Sequence, residues 1–90
     1  MEKNDNKTRK LIFDEEGLKL LAKRLKEIRF EKGVSQEELA YRSEMTLSQI
    51  ARIETVRTNP TISTLFKIAR ALEVPPSDLF NFELPPISNE

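Results

Sequence analysis

Two N-capping signals that lie eleven residues apart constrain the fold of this chain more than any other feature. Ser35 is followed three residues later by Glu38, and Thr46 is followed three residues later by Gln49. Each pair matches a capping box, in which two side chains satisfy backbone N–H groups at the start of a helix. The apolar pairs that accompany such boxes are also present: Val34 with Leu39, and Met45 with Ile50. The sequence therefore predicts two helices that start at Ser35 and Thr46.

The spacing of the two caps leaves little room between these helices. The first helix must end near Ser43, so residues 43–45 form a connection of about three residues. A connection of this length is typical of a helix-turn-helix, in which the two helices meet at a steep angle. Each helix has only about two turns and therefore depends on packing against the rest of the chain.

Apolar residues at helical spacing predict one further helix on each side of this pair. The helix before it runs from Leu18 to Gly33, where glycine can take the left-handed conformation that many helix ends need. The helix after it is capped by Thr61 and stopped by Pro75, and Pro76 opens a last short helix. The expected core faces are Leu18, Leu21, Ala22, Leu25 and Ile28 in the first helix, and Ile62, Leu65, Phe66, Ala69 and Leu72 in the second.

The composition excludes several classes of function. The 90 residues include no Cys and no His, which removes thiol nucleophiles, His-based acid–base chemistry and the usual zinc ligands. We therefore expect no enzyme, no bound metal and no cofactor, and no small-molecule substrate is evident. The N-terminus is too polar for a signal peptide, and no apolar run approaches the ~18 residues of a membrane span. We expect a cytoplasmic protein that has no membrane partner.

Residues 18–80 resemble the helix-turn-helix domain of phage repressors and Cro proteins, the Xre-like family of bacterial and phage transcription regulators. The resemblance rests on the run SQEELAYRSEMTLSQIARIE and its continuation TVRTNPTISTLFKIARALEVPPSDLF. The residues at the family's spacing are Gln36, the pair Leu39–Ala40, Ile50 and Ile53. The resemblance implies an all-α fold, a compact five-helix DNA-binding domain like that of the phage repressors.

The resemblance also divides the chain. We place the helix-turn-helix domain at residues 17–82, after an N-terminal arm at residues 1–16 that we expect to be mostly flexible, and before a C-terminal tail at residues 83–90. Apolar patches border the domain at residues 11–13 and at Phe80, Phe82 and Leu84. For both patches, packing on the domain's own core and contact with a second subunit are equally open.

Base reading is assigned to one face of the second helix of the motif. Ile50 and Ile53 lie three positions apart and share the face turned toward the core, which leaves the other side chains exposed. The family places the N-terminal residues of this helix against base edges in the major groove. The matching positions are Leu47, Ser48, Gln49 and Arg52. Arg52 is the strongest candidate, because a guanidinium can donate two hydrogen bonds to guanine, although a surface ion pair is the alternative.

Phosphate contacts and one ion pair are implied by the same resemblance. The phosphate-contacting positions are Gln36, Arg57, Thr58 and Asn59, with Arg42 as a further candidate. Gln36 stands at a helix start, where free N–H groups favour an anion. Arg29 and Glu54 match an ion pair between the first helix and the recognition helix. We expect this pair to be mostly buried and to fix orientation with little net stabilisation.

Two positions depart from the family's pattern. Glu44 and Val56 stand where the family often has glycine. A non-glycine residue in the left-handed conformation is unfavourable, most of all a β-branched one. The sequence therefore predicts a turn at Glu44, and a recognition-helix end at Val56, that differ from those of the family.

These observations lead to one main hypothesis and several alternatives. We expect a sequence-specific transcriptional regulator that binds double-stranded DNA, a repressor that acts as a homodimer on a palindromic operator. An antitoxin or a restriction-modification controller of the same fold is an alternative within this class. A protein-interaction module that has lost DNA binding is the alternative outside it, because only Arg42, Arg52 and Arg57 are basic between Ser35 and Pro60.

Overall fold

The structure is a computed structural model that describes residues 12–87. Within this range the chain forms five helices and no strand: α1 (Glu15–Lys32), α2 (Gln36–Ser43), α3 (Leu47–Glu54), α4 (Ile62–Leu72) and α5 (Pro76–Leu79). The prediction of an all-α, five-helix fold is confirmed. Residues 1–11 of the predicted arm, which include Leu11 of the apolar patch, and residues 88–90 of the tail lie outside the described residues.

The helices enclose one hydrophobic core. α2 packs against α3 and α4, while α1 contacts α3, α4 and α5. The largest fully buried side chains come from all five helices: Leu25, Ile28, Leu39, Ile50, Ile68, Leu72 and Leu79. Ala40 is also buried, where a small side chain allows α2 to pack closely against its neighbours.

The inward face of α4 differs from the predicted one. Ile62 and Phe66 were expected in the core, but their side chains are 57% and 47% exposed, so this prediction is wrong. Ile68, which the prediction left out, is fully buried. The reason is that the buried face of α4 is centred on Leu65, Ile68, Ala69 and Leu72, and Ile62 and Phe66 lie at its edge. α4 therefore carries apolar side chains on its outer surface as well.

The helix starts follow the predicted caps with two differences. Asp14 caps α1 by accepting from the Gly17 N–H over 3.0 Å, so α1 begins at Glu15 instead of Leu18. Ser35 Oγ accepts from the Glu38 N–H over 3.0 Å, but the Glu38 carboxylate binds Arg42 Nε at 2.8 Å. The predicted reciprocal box at Ser35 is therefore wrong, because an ion pair one turn along the helix takes the carboxylate.

The box at Thr46 is complete. Thr46 Oγ1 accepts from the Gln49 N–H over 3.0 Å, and Gln49 Oε1 accepts from the Thr46 N–H over 2.8 Å. Thr61 caps α4 by accepting from the Thr64 N–H, as predicted. The start of α3 is thus fixed by two side-chain hydrogen bonds.

The ends of the first four helices share one geometry. Each is followed by a residue in the left-handed conformation: Gly33 (φ 68°), Glu44 (φ 60°), Val56 (φ 61°) and Glu73 (φ 58°). At each end two backbone N–H groups return to carbonyls of the last turn, which is the Schellman motif. The expectation that the turn and the helix end would differ at Glu44 and Val56 is wrong, because both residues adopt the conformation that glycine would take.

Candidate nucleic-acid interface

α3 is anchored along its inner face and exposed along its outer one. Ile50 and Ile53 are buried, at 0% and 4% exposure, which fixes the rotation of the helix about its axis. The four side chains predicted to read bases are all exposed: Leu47, Ser48, Gln49 and Arg52. A short polar helix face of this kind suits contact with a partner more than packing within the domain.

The outer face of α3 forms a shallow notch with the loop that follows it. Gln49 and Arg52 line this notch together with Thr58, and its volume is about 160 Å³. The structure therefore brings two candidate base-reading residues next to one candidate phosphate-contacting residue. Within residues 12–87, no carboxylate lies within ion-pair distance of the Arg52 guanidinium.

Gln49 has a second role that limits what it can offer. Its Oε1 accepts from the Thr46 N–H in the capping box. The side-chain NH₂ is therefore the end that remains available, and it can only donate. The capping signal in the sequence already indicated this constraint.

The loop after α3 is hydrogen-bonded both to α3 and to the segment that precedes α1. The Arg57 N–H donates to the carbonyl of Arg52 over 2.8 Å, which follows from the left-handed conformation of Val56. Asn59 Nδ2 donates to the carbonyl of Ile12 over 3.2 Å. Arg57 and Asn59 are exposed and Thr58 is half-buried, so this stretch lies at the surface beside the end of α3.

A buried ion pair joins the end of α3 to α1. Arg29 Nε donates to Glu54 Oε2 over 2.8 Å, and Arg29 Nη2 donates to Glu54 Oε1 over 2.9 Å. The remaining guanidinium nitrogen, Nη1, donates to the carbonyl of Val34 over 3.1 Å. Both side chains are more than nine-tenths buried. This bidentate geometry fixes the C-terminal end of α3 relative to α1.

Gln36 adds a third donor to the same carboxylate. Its Nε2 donates to Glu54 Oε1 over 2.8 Å, and the side chain is half-buried. The two residues lie eighteen positions apart, so no local sequence pattern indicates this bond. Gln36, which the sequence analysis assigned only to phosphate contact, therefore also helps to hold α3 in place.

Arg42 lies apart from the other candidates. Its Nε donates to Glu38 Oε2 over 2.8 Å, and its Nη1 donates to the Ala71 carbonyl at the end of α4 over 3.3 Å. It lines a separate depression with Lys67 and Arg70. The structure does not bring Arg42 together with the exposed residues of α3.

The turn between α2 and α3 has a support that sequence reasoning missed. Lys67 Nζ donates to Glu44 Oε1 over 2.8 Å, which links α4 to the turn. This hydrogen bond, with the positive charge of Lys67, holds the pKa of the Glu44 carboxyl below its ordinary value. The two residues lie twenty-three positions apart, and only the fold brings them together.

Residues 12–87 lack two other kinds of site. Among residues 12–87, no group of three or more His, Cys, Asp or Glu side chains could hold a metal ion. None of the helices in this range is long and apolar enough to cross a membrane.

Comparison with known proteins identifies the motif. A family model described as helix-turn-helix matches residues 25–79. A relative from Sinorhizobium fredii, described as the uncharacterized HTH-type transcriptional regulator y4dJ, is 39% identical over 56 residues, which are 62% of this chain and 73% of the relative.

Solved structures extend this similarity to three dimensions. The restriction-modification controller protein C.AhdI from Aeromonas hydrophila is 36% identical, with a TM-score of 0.68 over 70% of this chain and 96% of that one. The controller protein C.Esp1396I, solved as a tetramer in complex with its natural 35 base-pair operator, is 40% identical, with a TM-score of 0.66 over 70% of this chain and 83% of that one.

Proposed function

This chain belongs to the helix-turn-helix family, and from that premise we propose that it is a transcriptional regulator that binds double-stranded DNA sequence-specifically through α3. The observation that carries the proposal is the anchoring of α3. Two isoleucines and a buried ion pair fix its inner face and its end, so a rigid polar face is presented to a partner. Sites built on rigid elements hold their side chains in the defined geometry that base recognition needs.

The exposed side chains of α3 supply complementary chemistry for the major groove. Arg52 can donate two hydrogen bonds to the acceptors of guanine, a contact worth about 1–3 kcal/mol of discrimination. Gln49 offers its NH₂ to a base acceptor, Ser48 offers a hydroxyl, and Leu47 offers apolar contact to a thymine methyl group. An α-helix with its side chains is about 10–12 Å across, which suits a major groove about 12 Å wide.

Contacts to the DNA backbone flank this helix. Gln36 stands at the start of α2, where backbone N–H groups are free to bind a phosphate. Arg57, Thr58 and Asn59 follow the end of α3 and would contact the backbone beyond it. Arg42 is the weakest phosphate candidate, because Glu38 and the Ala71 carbonyl already bind its guanidinium.

A homodimer would form through the apolar outer surface of α4 and the segment after it. We define this surface by Ile62, Phe66, Phe80 and Leu84, whose side chains are between 45% and 57% exposed. An apolar groove of about 280 Å³ runs beside it, lined in part by Phe80, Phe82 and Leu84. Exposed apolar side chains on neighbouring segments are typical of subunit contacts. The tetrameric assembly of C.Esp1396I on DNA supports self-association in proteins of this fold.

The homodimer would read a palindromic operator. Two α3 helices related by a twofold axis would enter successive major grooves about 34 Å apart. Occupation of a promoter by such a dimer would repress transcription. We place the protein in the cytoplasm and assign it no catalytic activity.

A more specific role within this class is that of a restriction-modification controller. The observation that favours it is the similarity to C.AhdI and C.Esp1396I, at 36% and 40% identity and over most of the length of each. A restriction or methylation gene beside the coding sequence would support this role, whereas a toxin gene there would favour an antitoxin.

Selection of bound duplexes from a random-sequence DNA library tests the proposal. We expect enrichment of a site with two related half-sites about one helical turn apart. Enrichment of a single half-site would leave DNA reading intact and contradict the dimer. No enrichment over the starting pool would favour the protein-interaction module instead.

A further inference from the structure

A groove at the point where α4 leads into α5 combines apolar walls with one cation. It has a volume of about 330 Å³ and is lined by Phe66, Ala69, Arg70, Val74 and Pro76. We call it the α4–α5 groove. The Phe66 ring is 47% exposed, and the Arg70 side chain is exposed as well. Walls of this kind fit an apolar segment that carries a negative charge.

The positive charge of Arg70 differs from those of its neighbours. Arg42 and Lys67 line a depression beside Arg70, and each of them forms an ion pair with a glutamate over 2.8 Å. Within residues 12–87, no carboxylate lies within ion-pair distance of the Arg70 guanidinium. A carboxylate that enters the α4–α5 groove would therefore be attracted to Arg70.

The C-terminal tail of the chain has the complementary chemistry. Residues 73–90 contain four acidic residues and no basic one. Residues 83–87 form neither helix nor strand, and Leu84 and Ile87 are 57% and 86% exposed. Pro85 and Pro86 lack a backbone N–H and favour the polyproline II conformation, which binds in aromatic-lined grooves. The tail thus presents Glu83 next to an apolar, proline-containing segment.

The tail of a chain does not occupy the α4–α5 groove of the same chain. Residues 83–86 lie on the side of α1, where they line an open cavity of about 780 Å³ together with Glu16, Lys19 and Leu20. Phe82, just before them, is half-buried and packs against the core. The tail is therefore anchored at its start and exposed beyond it, so it can contact another molecule.

We propose that the tail of each subunit docks in the α4–α5 groove of a second copy of this chain, with Glu83 paired to Arg70 and the apolar tail side chains packed on Phe66. The inference rests on the homodimer of the proposed function and adds a reciprocal exchange of tails to it. Both parts are continuous with the apolar outer surface of α4, because Phe66 and Leu84 belong to that surface. A reciprocal exchange has twofold symmetry, so it closes at two subunits.

Reciprocal docking allows a charge reversal in one subunit to be corrected by the other. Arg70→Glu places like charges at both contacts of a homodimer, and so does Glu83→Arg. A heterodimer of these two variants pairs opposite charges again at both contacts. Pairing within one chain gives no such correction, because each variant keeps its own mismatch.

Fluorescence-detected sedimentation at low salt tests the exchange. A trace of Arg70→Glu, labelled at its N-terminus, is titrated with unlabelled Arg70→Glu and, separately, with Glu83→Arg. We expect the first pair to associate about tenfold more weakly than the unaltered protein, because two exposed ion pairs are replaced by like charges. The second pair should associate as tightly as the unaltered protein. Both side chains are exposed, so both variants should fold, which urea denaturation checks.

Glu31→Arg is the matched control, because Glu31 is exposed on α1 and lies outside the tail and the groove. It has the same net charge as Glu83→Arg, but its heterodimer with Arg70→Glu keeps one contact between like charges. We expect this heterodimer to be about threefold weaker than the unaltered dimer. Equal association of Arg70→Glu with Glu31→Arg and Glu83→Arg would overturn the tail exchange. An unaltered protein that stays monomeric would contradict the proposed homodimer itself.

Discussion

Three residues other than glycine adopt a backbone conformation that is energetically unfavourable for any residue with a side chain. Glu44, Val56 and Glu73 have φ angles near 60°, a region that glycine adopts without strain and other residues adopt at roughly 1 kcal/mol or more. At each of them, two backbone hydrogen bonds close the helix end: one from the N–H of the residue itself and one from the N–H of the next residue. The chain keeps these helix ends because the bonds satisfy carbonyls that would otherwise lack partners.

Glu73→Gly should therefore stabilise the protein. Glu73 is exposed and its φ is 58°, so glycine relieves the strain without removing a buried contact. We expect the free energy of unfolding in urea to rise by about 1 kcal/mol. Gly33→Ala is the control with the opposite sign, because φ at Gly33 is 68° and no atom lies within 4 Å of the added Cβ. Loss of stability in Glu73→Gly would show that its side chain matters more than its backbone.

At the scale of the helices, α3 is fixed at both ends by polar contacts. The capping box at Thr46 fixes its start, and the Arg29–Glu54 ion pair fixes its end. Removing one partner of a buried ion pair leaves an unpaired charge, whereas replacing both partners with apolar residues does not. We therefore expect the ion pair to contribute orientation more than net stability.

Paired substitutions measure this balance. We expect Arg29→Met to lower the free energy of unfolding by about 3–5 kcal/mol, because Glu54 is left buried and unpaired. Arg29→Met combined with Glu54→Leu should recover most of that loss. Urea denaturation of the two single variants and the double variant checks both values. Additive losses in the double variant would contradict the account and assign the pair a large net stabilisation.

The parts of the helix-turn-helix that follow from the sequence are those set by residues close together in the chain. The caps at Ser35 and Thr46 bind backbone groups three residues away, and their signals were sufficient to predict α2 and α3. The bonds from Gln36 to Glu54 and from Lys67 to Glu44 span eighteen and twenty-three positions, and no local pattern indicates them.

Two local predictions were wrong because another interaction was stronger. Glu38 binds Arg42 four residues along α2 instead of completing its capping box. Glu44 and Val56 were expected to change the helix ends, but the backbone hydrogen bonds there outweigh the conformational cost. Propensity alone does not decide a position where the fold offers a full set of hydrogen bonds.

At the scale of the whole molecule, the equal numbers of basic and acidic residues limit binding to DNA. The chain carries 15 Lys and Arg against 15 Asp and Glu, so general attraction to phosphate is small. A single domain with few phosphate contacts binds DNA weakly. Two linked domains that bind two adjacent half-sites together have a much higher affinity. The proposed dimerisation through the apolar outer surface of α4 would therefore be central to affinity.

Phe66→Asp tests this surface. A charge within an apolar contact is strongly unfavourable, so we expect the mass in sedimentation to fall from that of a dimer to that of a monomer. Affinity for an operator with two half-sites should fall at least about tenfold, because each half-site is then bound by an independent monomer. Phe30→Asp is the control, since Phe30 is 70% exposed on α1 and lies outside the proposed surface. A dimer that persists in Phe66→Asp would place the interface elsewhere.

Binding to every single base-pair variant of the selected duplex tests the assignment of α3 to DNA reading most directly. Anisotropy titrations would compare the unaltered protein with Arg52→Ala. For the unaltered protein, we expect replacement of one guanine in the duplex to weaken binding by about 1–3 kcal/mol. Arg52→Ala should lose this preference for guanine and keep the preferences at all other positions. An Arg52→Ala protein that keeps every preference, or an unaltered protein that binds all the duplexes equally, would contradict the account.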